Sequence, residues 1–239
     1  RSTLFPYTTL FRSARLSEVL GSNLTSVIKR LKARGMDKDY NILTSERSMV
    51  AIGHYGIKSW INVMEKIAKA DMIFIDDHAP VFDWFTLDDK TTLIQLWHAG
   101  AGFKSSGYSR WGNSGCPGPV NCHRQYKYGI AGSKRIAHFF SEVFGINEEQ
   151  VLPTGMPRMD EYLDPEYKEE KTIRLHQEFP MINGKKVILF APTYRGKNRS
   201  DSYYPYELID FDRLYEFCGD EYVKPGRSEE RRVGKECRS

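Results

Sequence analysis

The chain has 239 residues, 40% of them hydrophobic, with 35 Lys and Arg against 31 Asp and Glu for a formal net charge of +4. That length suits one large domain or one and a half ordinary ones, and no apolar run approaches the roughly 18 residues that cross a bilayer. The positive excess lies wholly in residues 1–13 and 227–239, +2 in each, so the neutral remainder argues for neither a nucleic-acid partner nor an anionic lipid surface.

The two ends mirror each other. Residues 3–13 read TLFPYTTLFRS and residues 227–237 read RSEERRVGKEC, which are eleven codons of one DNA stretch read on opposite strands: Cys237 complements Thr3, Glu236 complements Leu4, and the series runs on to Arg227 and Ser13. Both ends look like translated sequencing adapter and are set aside from fold reasoning as non-native, with the expectation that the natural protein extends past each. Three cysteines remain between them, Cys116, Cys122 and Cys218. So sparse and odd a set suggests a reducing compartment without a disulfide framework.

From residue 22 onward the pattern alternates. Ser22-Asn23 offers an N-cap before Leu24, Val27, Ile28 and Leu31 at helical spacing, with Gly35 as the stop. Tyr40-Asn41-Ile42-Leu43 reads as a short strand, 60–69 as a helix, and Met72-Ile73-Phe74-Ile75 as a buried strand ending at Asp76-Asp77. The stripe Trp60, Met64, Ile67 fits a core-facing helix better than a bilayer surface. A further strand over 93–97 ends at His98, and after a loop to 123 come a strand over 128–131 and a helix capped by Ser133 and running to 144. A brief strand at 151–153 leads into Gly155; residues 168–179 read as a helix, 186–190 as a strand, and 211–217 as the start of a helix. The acidic segment 160–170 reads as a connector, with a second sheet opening near Lys185. Strands separated by helical patterns predict an α/β fold with parallel sheets covered on both faces, and no internal repeat interrupts it.

In such sheets ligands gather where the strands end, and the polar clusters fall there: Asp76-Asp77-His78, His98 to Lys104, Ser133, Gly155 to Asp160, and Thr193-Tyr194-Arg195-Gly196. The stretch Trp97-His98-Ala99-Gly100-Ala101-Gly102-Phe103-Lys104 has the make-up of a phosphate site with a base beside it. Gly100 and Gly102 let backbone approach an anion, Lys104 supplies a point charge, and the imidazole of His98 can take a proton from a hydroxyl. Arg195 suits phosphate because its planar fork binds bidentately, though it also suits pairing with the acidic connector. The turn at 155–160 reads either as substrate-binding through Arg158 or as a structural turn in which Arg158 and Asp160 hold each other. Tyr203-Tyr204-Pro205-Tyr206 is an aromatic loop for which the residues decide no role. Cys116, Cys122 and His123 form Cys-x5-Cys-His, without the paired spacing or fourth ligand of a zinc site. Asp76-Asp77-His78 reads as a polar turn after a strand rather than a metal site. No metal and no cofactor are expected.

Three ordered blocks carry a family resemblance: Leu96-Trp97-His98-Ala99 with Gly102-Phe103-Lys104 and Gly107-Tyr108-Ser109-Arg110, then Gly155-Met156-Pro157-Arg158-Met159-Asp160, then Ala191-Pro192-Thr193-Tyr194-Arg195. Over residues 41–224 the chain resembles the CDP-glycerol glycerophosphotransferase family of teichoic-acid synthesis. The resemblance implies a GT-B architecture of two Rossmann-like domains: an acceptor-side domain over 14–160, then over 161–226 a connector and the start of a truncated nucleotide-donor domain. It implies transfer of glycerol phosphate from CDP-glycerol, or of ribitol phosphate from CDP-ribitol, to a lipid-linked polyol-phosphate acceptor, with CMP leaving. His98 matches the catalytic histidine, and Gly100, Gly102, Lys104, Arg158, Thr193 and Arg195 fall in the matching blocks as substrate-binding candidates. It further implies a peripheral enzyme at the cytoplasmic face of a bacterial membrane. The family pattern continues into a histidine-proline and an aspartate-tyrosine-serine-serine motif beyond Gly226, so this chain alone is expected to be inactive. The alternatives are a GT-B sugar transferase or nucleotide-sugar epimerase, against which the Trp97-His98 block tells, and a non-catalytic Rossmann-like binding module. A dinucleotide-binding version is disfavoured because no Gly-x-Gly-x-x-Gly follows an early strand.

Overall fold

The computed structural model describes residues 7–11, 22–45, 57–100, 105–188, 195–196, 201 and 203–223. The chain divides into two compact units, 1–164 and 165–239.

The first unit is built on a six-stranded parallel sheet in the order β2-β1-β3-β4-β5-β6. Its strands are β1 (Tyr7–Phe11), β2 (Asn41–Ser45), β3 (Met72–Ile75), β4 (Thr92–Gln95), β5 (Tyr126–Ile130) and β6 (Val151–Leu152). Between them run α1 (Ser22–Ala33), α2 (Ile57–Ala68) and α3 (Ala137–Phe144). The alternating pleat sorts the apolar side chains to two faces. Ile73, Ile75 and Leu93 face a core completed by Val63 and Ile67 of α2 and by Ala137, Phe140 and Phe144 of α3. Phe74, Ile94 and Leu152 face the other way, packed with Leu24, Val27 and Ile28 of α1. Trp60 and Met64 are half-buried against the first core, so the stripe on α2 is an inward face. Residues Leu24, Phe82 and Phe144 are fully buried, and each such side chain contributes about 1.5–3 kcal/mol through removal from water.

Several expectations need correcting. Residues 7–11, set aside with the non-native end, form β1 and occupy the slot between β2 and β3, with Thr8 opposite Ile42 on one side and Met72 on the other. Tyr, Thr and Phe are strong strand formers, and the slot binds backbone, whatever its origin. Ser133 makes no capping hydrogen bond; a 3-10 turn, Lys134–Ile136, leads into α3 instead. Ser22 is the first residue of α1, and Asn23 reaches out of the helix to two other segments. The acidic connector is helical, with α4 (Met159–Leu163) and α5 (Pro165–Glu178), because its charged residues are good helix formers with acids near the amino ends.

Of the strand expected over 186–190 in the second unit, only residues 186–188 are described, and these form no strand. Lys186 makes an isolated parallel bridge to Tyr222, Arg195 an antiparallel one to Tyr203, and residues 189–194 lie outside those described. A second Rossmann-like sheet is therefore not formed among the described residues of this unit, which also carry α6 (Phe211–Cys218), capped by Asp210 through a bond from Arg213 N.

Candidate functional site

Because every strand runs the same way, all carboxyl ends open on one rim, and the chain order reverses at β1, where doubly wound sheets place ligands. At the end of β4, Gln95 is fully buried and has each polar atom satisfied. Its Nε2 donates to Asp77 O (3.1 Å) and Tyr126 Oη (3.1 Å), and its Oε1 accepts from Trp97 N (2.8 Å). This ties the exits of β3 and β4 to β5. Trp97 then takes φ +55°, in the left-handed region that a bulky residue enters only when its surroundings force it. The bend lays the Trp97 ring on the His98 ring (centroids 4.4 Å apart, planes 28° apart) and its edge against Phe144 (5.6 Å).

His98 is thereby aimed back over the end of β3. Its Nδ1 lies 3.3 Å from Asp76 O and 3.7 Å from Asp77 Oδ1. A carbonyl oxygen can only accept, so the contact requires a hydrogen on Nδ1 and leaves the lone pair on Nε2. The side chain is 51% exposed and lines a cavity of about 580 Å³ with Asp77, Asp83, Ser106, Arg110 and Asn121 among its walls. A neutral imidazole so held can accept a proton from a hydroxyl placed in that cavity.

The far side of the same turn is anchored separately. Asn23, 2% exposed, donates from Nδ2 to Trp97 O (2.8 Å) and accepts at Oδ1 from Arg158 N (3.2 Å). Arg158 Nη2 donates to His98 O at 3.0 Å. Arg158 turns to the carbonyl of His98 rather than to Asp160, so these two side chains do not hold each other across the 155–160 turn. Gly100 packs beside Met156, and a Cβ at Gly132 would stand 2.6 Å from Gly100 O, so a glycine at 132 is what lets the β4 and β5 exits approach.

The third wall is the Gly107-Tyr108-Ser109-Arg110 block, a 3-10 turn in which Ser109 Oγ accepts from Ser106 N and donates to Ser106 O. Gly107 has φ +52°, and a Cβ there would lie 2.0 Å from Val143 O. Tyr108 Oη accepts from Asn121 Nδ2 (2.8 Å), and Arg110 Nε donates to Ser105 O (2.8 Å).

Deeper in this corner sit His78, Cys122 and His123. Cys122 N donates to Asp83 Oδ1 (2.6 Å), and Cys122 Sγ lies 3.2 Å from Tyr126 Oη. Burial pushes the Cys122 thiol up to about 12, and burial, then His78, pulls His123 down to about 4. The ligating atoms of His78, Cys122 and His123 lie within 4.8 Å of one another. The spacing of Cys116, Cys122 and His123 spoke against a zinc site; in the structure Cys116 lies elsewhere on the cavity wall, and it is His78 that stands beside Cys122 and His123. Cys116, Cys122 and Cys218 are free thiols.

Of the site residues expected from sequence, His98, Gly100 and Arg158 come together. Gly102, Lys104 and Thr193 lie outside the described residues. Arg195 belongs to the second unit, where its backbone pairs with that of Tyr203, and Tyr204 and Tyr206 pack ring to ring at 5.8 Å. Sequence reasoning missed Asn23, Gln95 and Asp83 as organisers of the site. Arg110 was in view within the Gly-Tyr-Ser-Arg block but was not singled out.

A model of the family described as CDP-Glycerol:Poly(glycerophosphate) glycerophosphotransferase matches residues 10–224. A teichoic acid poly(ribitol-phosphate) polymerase of Bacillus spizizenii is 43% identical over 157 residues, covering 65% of this chain and 25% of the relative. The teichoic acid ribitol-phosphate polymerase TarL of Staphylococcus aureus is 36% identical over 213 residues, 88% of this chain and 37% of its own length. The chain therefore spans between a quarter and two-fifths of these relatives. Among solved structures, the wall teichoic acid polymerase TagF aligns with TM-score 0.63 at 17% identity, over 92% of this chain and 56% of that one. That likeness shows the fold, α/β and GT-B-like as expected. No helix among the described residues is long and apolar enough to cross a membrane.

Proposed function

We propose, for a chain that belongs to the CDP-glycerol:poly(glycerophosphate) glycerophosphotransferase family, that its parent protein transfers a polyol phosphate from a CDP-activated donor to a hydroxyl of a teichoic-acid acceptor. His98 acts as general base. Its Nε2 takes the hydroxyl proton while that oxygen attacks the β-phosphorus; the new phosphorus–oxygen bond forms and the bond to CMP breaks. Such transfers depend on positioning and on neutralising charge at phosphorus. Arg110 supplies a cation at the cavity that His98 lines, and the family blocks assign Gly100, Gly102, Lys104, Thr193 and Arg195 to binding of the donor. Arg158 serves through the carbonyl of His98, as a positioning residue. The acceptor is lipid-linked and the enzyme works peripherally at the cytoplasmic face of a bacterial membrane.

The observation that carries this reading is the half-exposed imidazole whose Nδ1 is held at 3.3 Å from Asp76 O, leaving Nε2 available at a cavity wide enough for a polyol phosphate. Ribitol phosphate is the favoured cargo, because the relatives aligned over 157 and 213 residues are named as ribitol-phosphate polymerases.

The test uses the full-length protein, measuring CMP release with CDP-ribitol, CDP-glycerol and UDP-sugars as donors. CDP-ribitol should turn over fastest. His98→Ala should lower CMP release by at least about a hundredfold, the lower end of what a positioned base contributes, with donor binding retained. Wild-type turnover in that variant removes His98 from the mechanism, and turnover of UDP-sugars alone replaces the reading with that of a sugar transferase.

A further inference from the structure

We propose that His78, Cys122 and His123 form a binding site for one zinc-class divalent metal ion, with the carboxylate of Asp83 as fourth ligand. The donor set is the first reason. One thiolate and two imidazoles, with a single carboxylate oxygen, suit zinc and its neighbours; magnesium and calcium prefer all-oxygen shells.

Geometry is the second. The three ligating atoms already lie within 4.8 Å of one another, and Asp83 Oδ2 lies 3.8 Å from His78 Nε2. Ligand atoms around a tetrahedral zinc stand about 3.3–3.7 Å apart, given metal–ligand bonds of about 2.0–2.3 Å. Closing the three-residue cluster therefore takes about 1 Å of side-chain adjustment, and Asp83, outside that cluster, comes in on the His78 side. His78, 41% exposed in its side chain, can supply that movement.

Burial is the third. His123 is 4% exposed, and its Nδ1 is buried with no hydrogen-bond partner. A buried ring nitrogen without a partner is unfavourable, and ligation of a metal at that nitrogen removes the penalty. The surroundings also resemble those that orient metal ligands. Tyr126 Oη sits 3.2 Å from Cys122 Sγ and can donate to a thiolate, and Gln95 Nε2 in turn donates to Tyr126 Oη. The backbone around the site is pinned by Cys122 N on Asp83 Oδ1 and by His123 N on Asn121 Oδ1.

The ligands come from two segments far apart in sequence, the turn after β3 and the turn before β5. A metal would join them into one wall of the cavity that His98 also lines. Binding exchanges the Cys122 thiol proton for the ion, with no change of oxidation state. This site and the transferase reading are independent, and either can fail alone.

The test takes the purified 239-residue chain, strips it with a chelator and titrates it with Co²⁺, followed by Zn²⁺. The expected result is one equivalent of Co²⁺ per chain with a thiolate-to-cobalt charge-transfer band and the intense visible bands of tetrahedral cobalt. Both should be abolished by Zn²⁺, which should also raise the unfolding temperature where Mg²⁺ does not. Cys122→Ser should lose the charge-transfer band, the partly exposed His78→Gln should weaken binding at least tenfold, and Cys116→Ser should change neither. Failure of the unaltered chain to take up Co²⁺, uptake without the thiolate band, or a band that survives in Cys122→Ser overturns the proposal.

Discussion

Replacing Asn23 by alanine tests whether the catalytic turn is held from outside its own segment. The side chain is 2% exposed and makes two bonds, to Trp97 O at 2.8 Å and from Arg158 N at 3.2 Å. Losing two neutral hydrogen bonds costs about 1 kcal/mol each, and stranding a buried polar group adds about 1–3 kcal/mol. Together these give a loss of about 3–5 kcal/mol, more than a hundredfold in the ratio of folded to unfolded chain. All four tryptophans, Trp60, Trp84, Trp97 and Trp111, belong to the first unit, so urea unfolding followed by tryptophan fluorescence reports on the unit concerned. The midpoint should fall with an unchanged slope, since the surface exposed on unfolding is the same. Asn23→Asp keeps the volume and an acceptor for Arg158 N but cannot donate to Trp97 O when ionised; it should recover less than half of the loss. A cost below about 1 kcal/mol for Asn23→Ala would refute the idea that this amide secures the turn.

Glycine substitutions should separate two kinds of constraint. Gly107→Ala places a Cβ 2.0 Å from Val143 O at φ +52°, so its cost should exceed the roughly 1–2 kcal/mol of a left-handed conformation alone and reach about 3 kcal/mol or more. Gly112→Ala, at φ +77° with nothing within 4 Å, should cost only about 1 kcal/mol; equal losses in chemical denaturation would contradict the steric argument. Phe144→Ala removes a fully buried ring that touches Trp97, Tyr126 and Phe140, and should cost about 3–5 kcal/mol, measured by the same fluorescence assay.

Local pattern made much of the first unit legible. The apolar run at 72–75 became β3 with the expected bounds, and Leu24, Val27 and Ile28 form the inward stripe of α1. The placing of His98 just past a strand end followed from the break between an apolar run and glycines. What escaped were residues whose role is set by distant partners. Asn23 read as a cap because asparagine favours that position, yet it serves segments 74 and 135 residues away. Gln95 is the polar residue of the apolar 93–97 run, and its three partners explain why it is buried there. Cys116 and Cys122 are neighbours in sequence, whereas the structure sets His78 beside Cys122, because the 80–83 segment that follows it is hydrogen-bonded to the 122–125 turn.

The common direction of the strands leaves the opposite edge of the first unit open to engineering. The exposed turn Asp88-Asp89-Lys90, just before β4, is separated from the His98 end by a four-residue strand, about 13 Å of extended backbone. Fluorophores or affinity handles inserted there ride on the same rigid strand as the imidazole without entering its crevice, so they can report on donor capture while leaving the chemistry undisturbed.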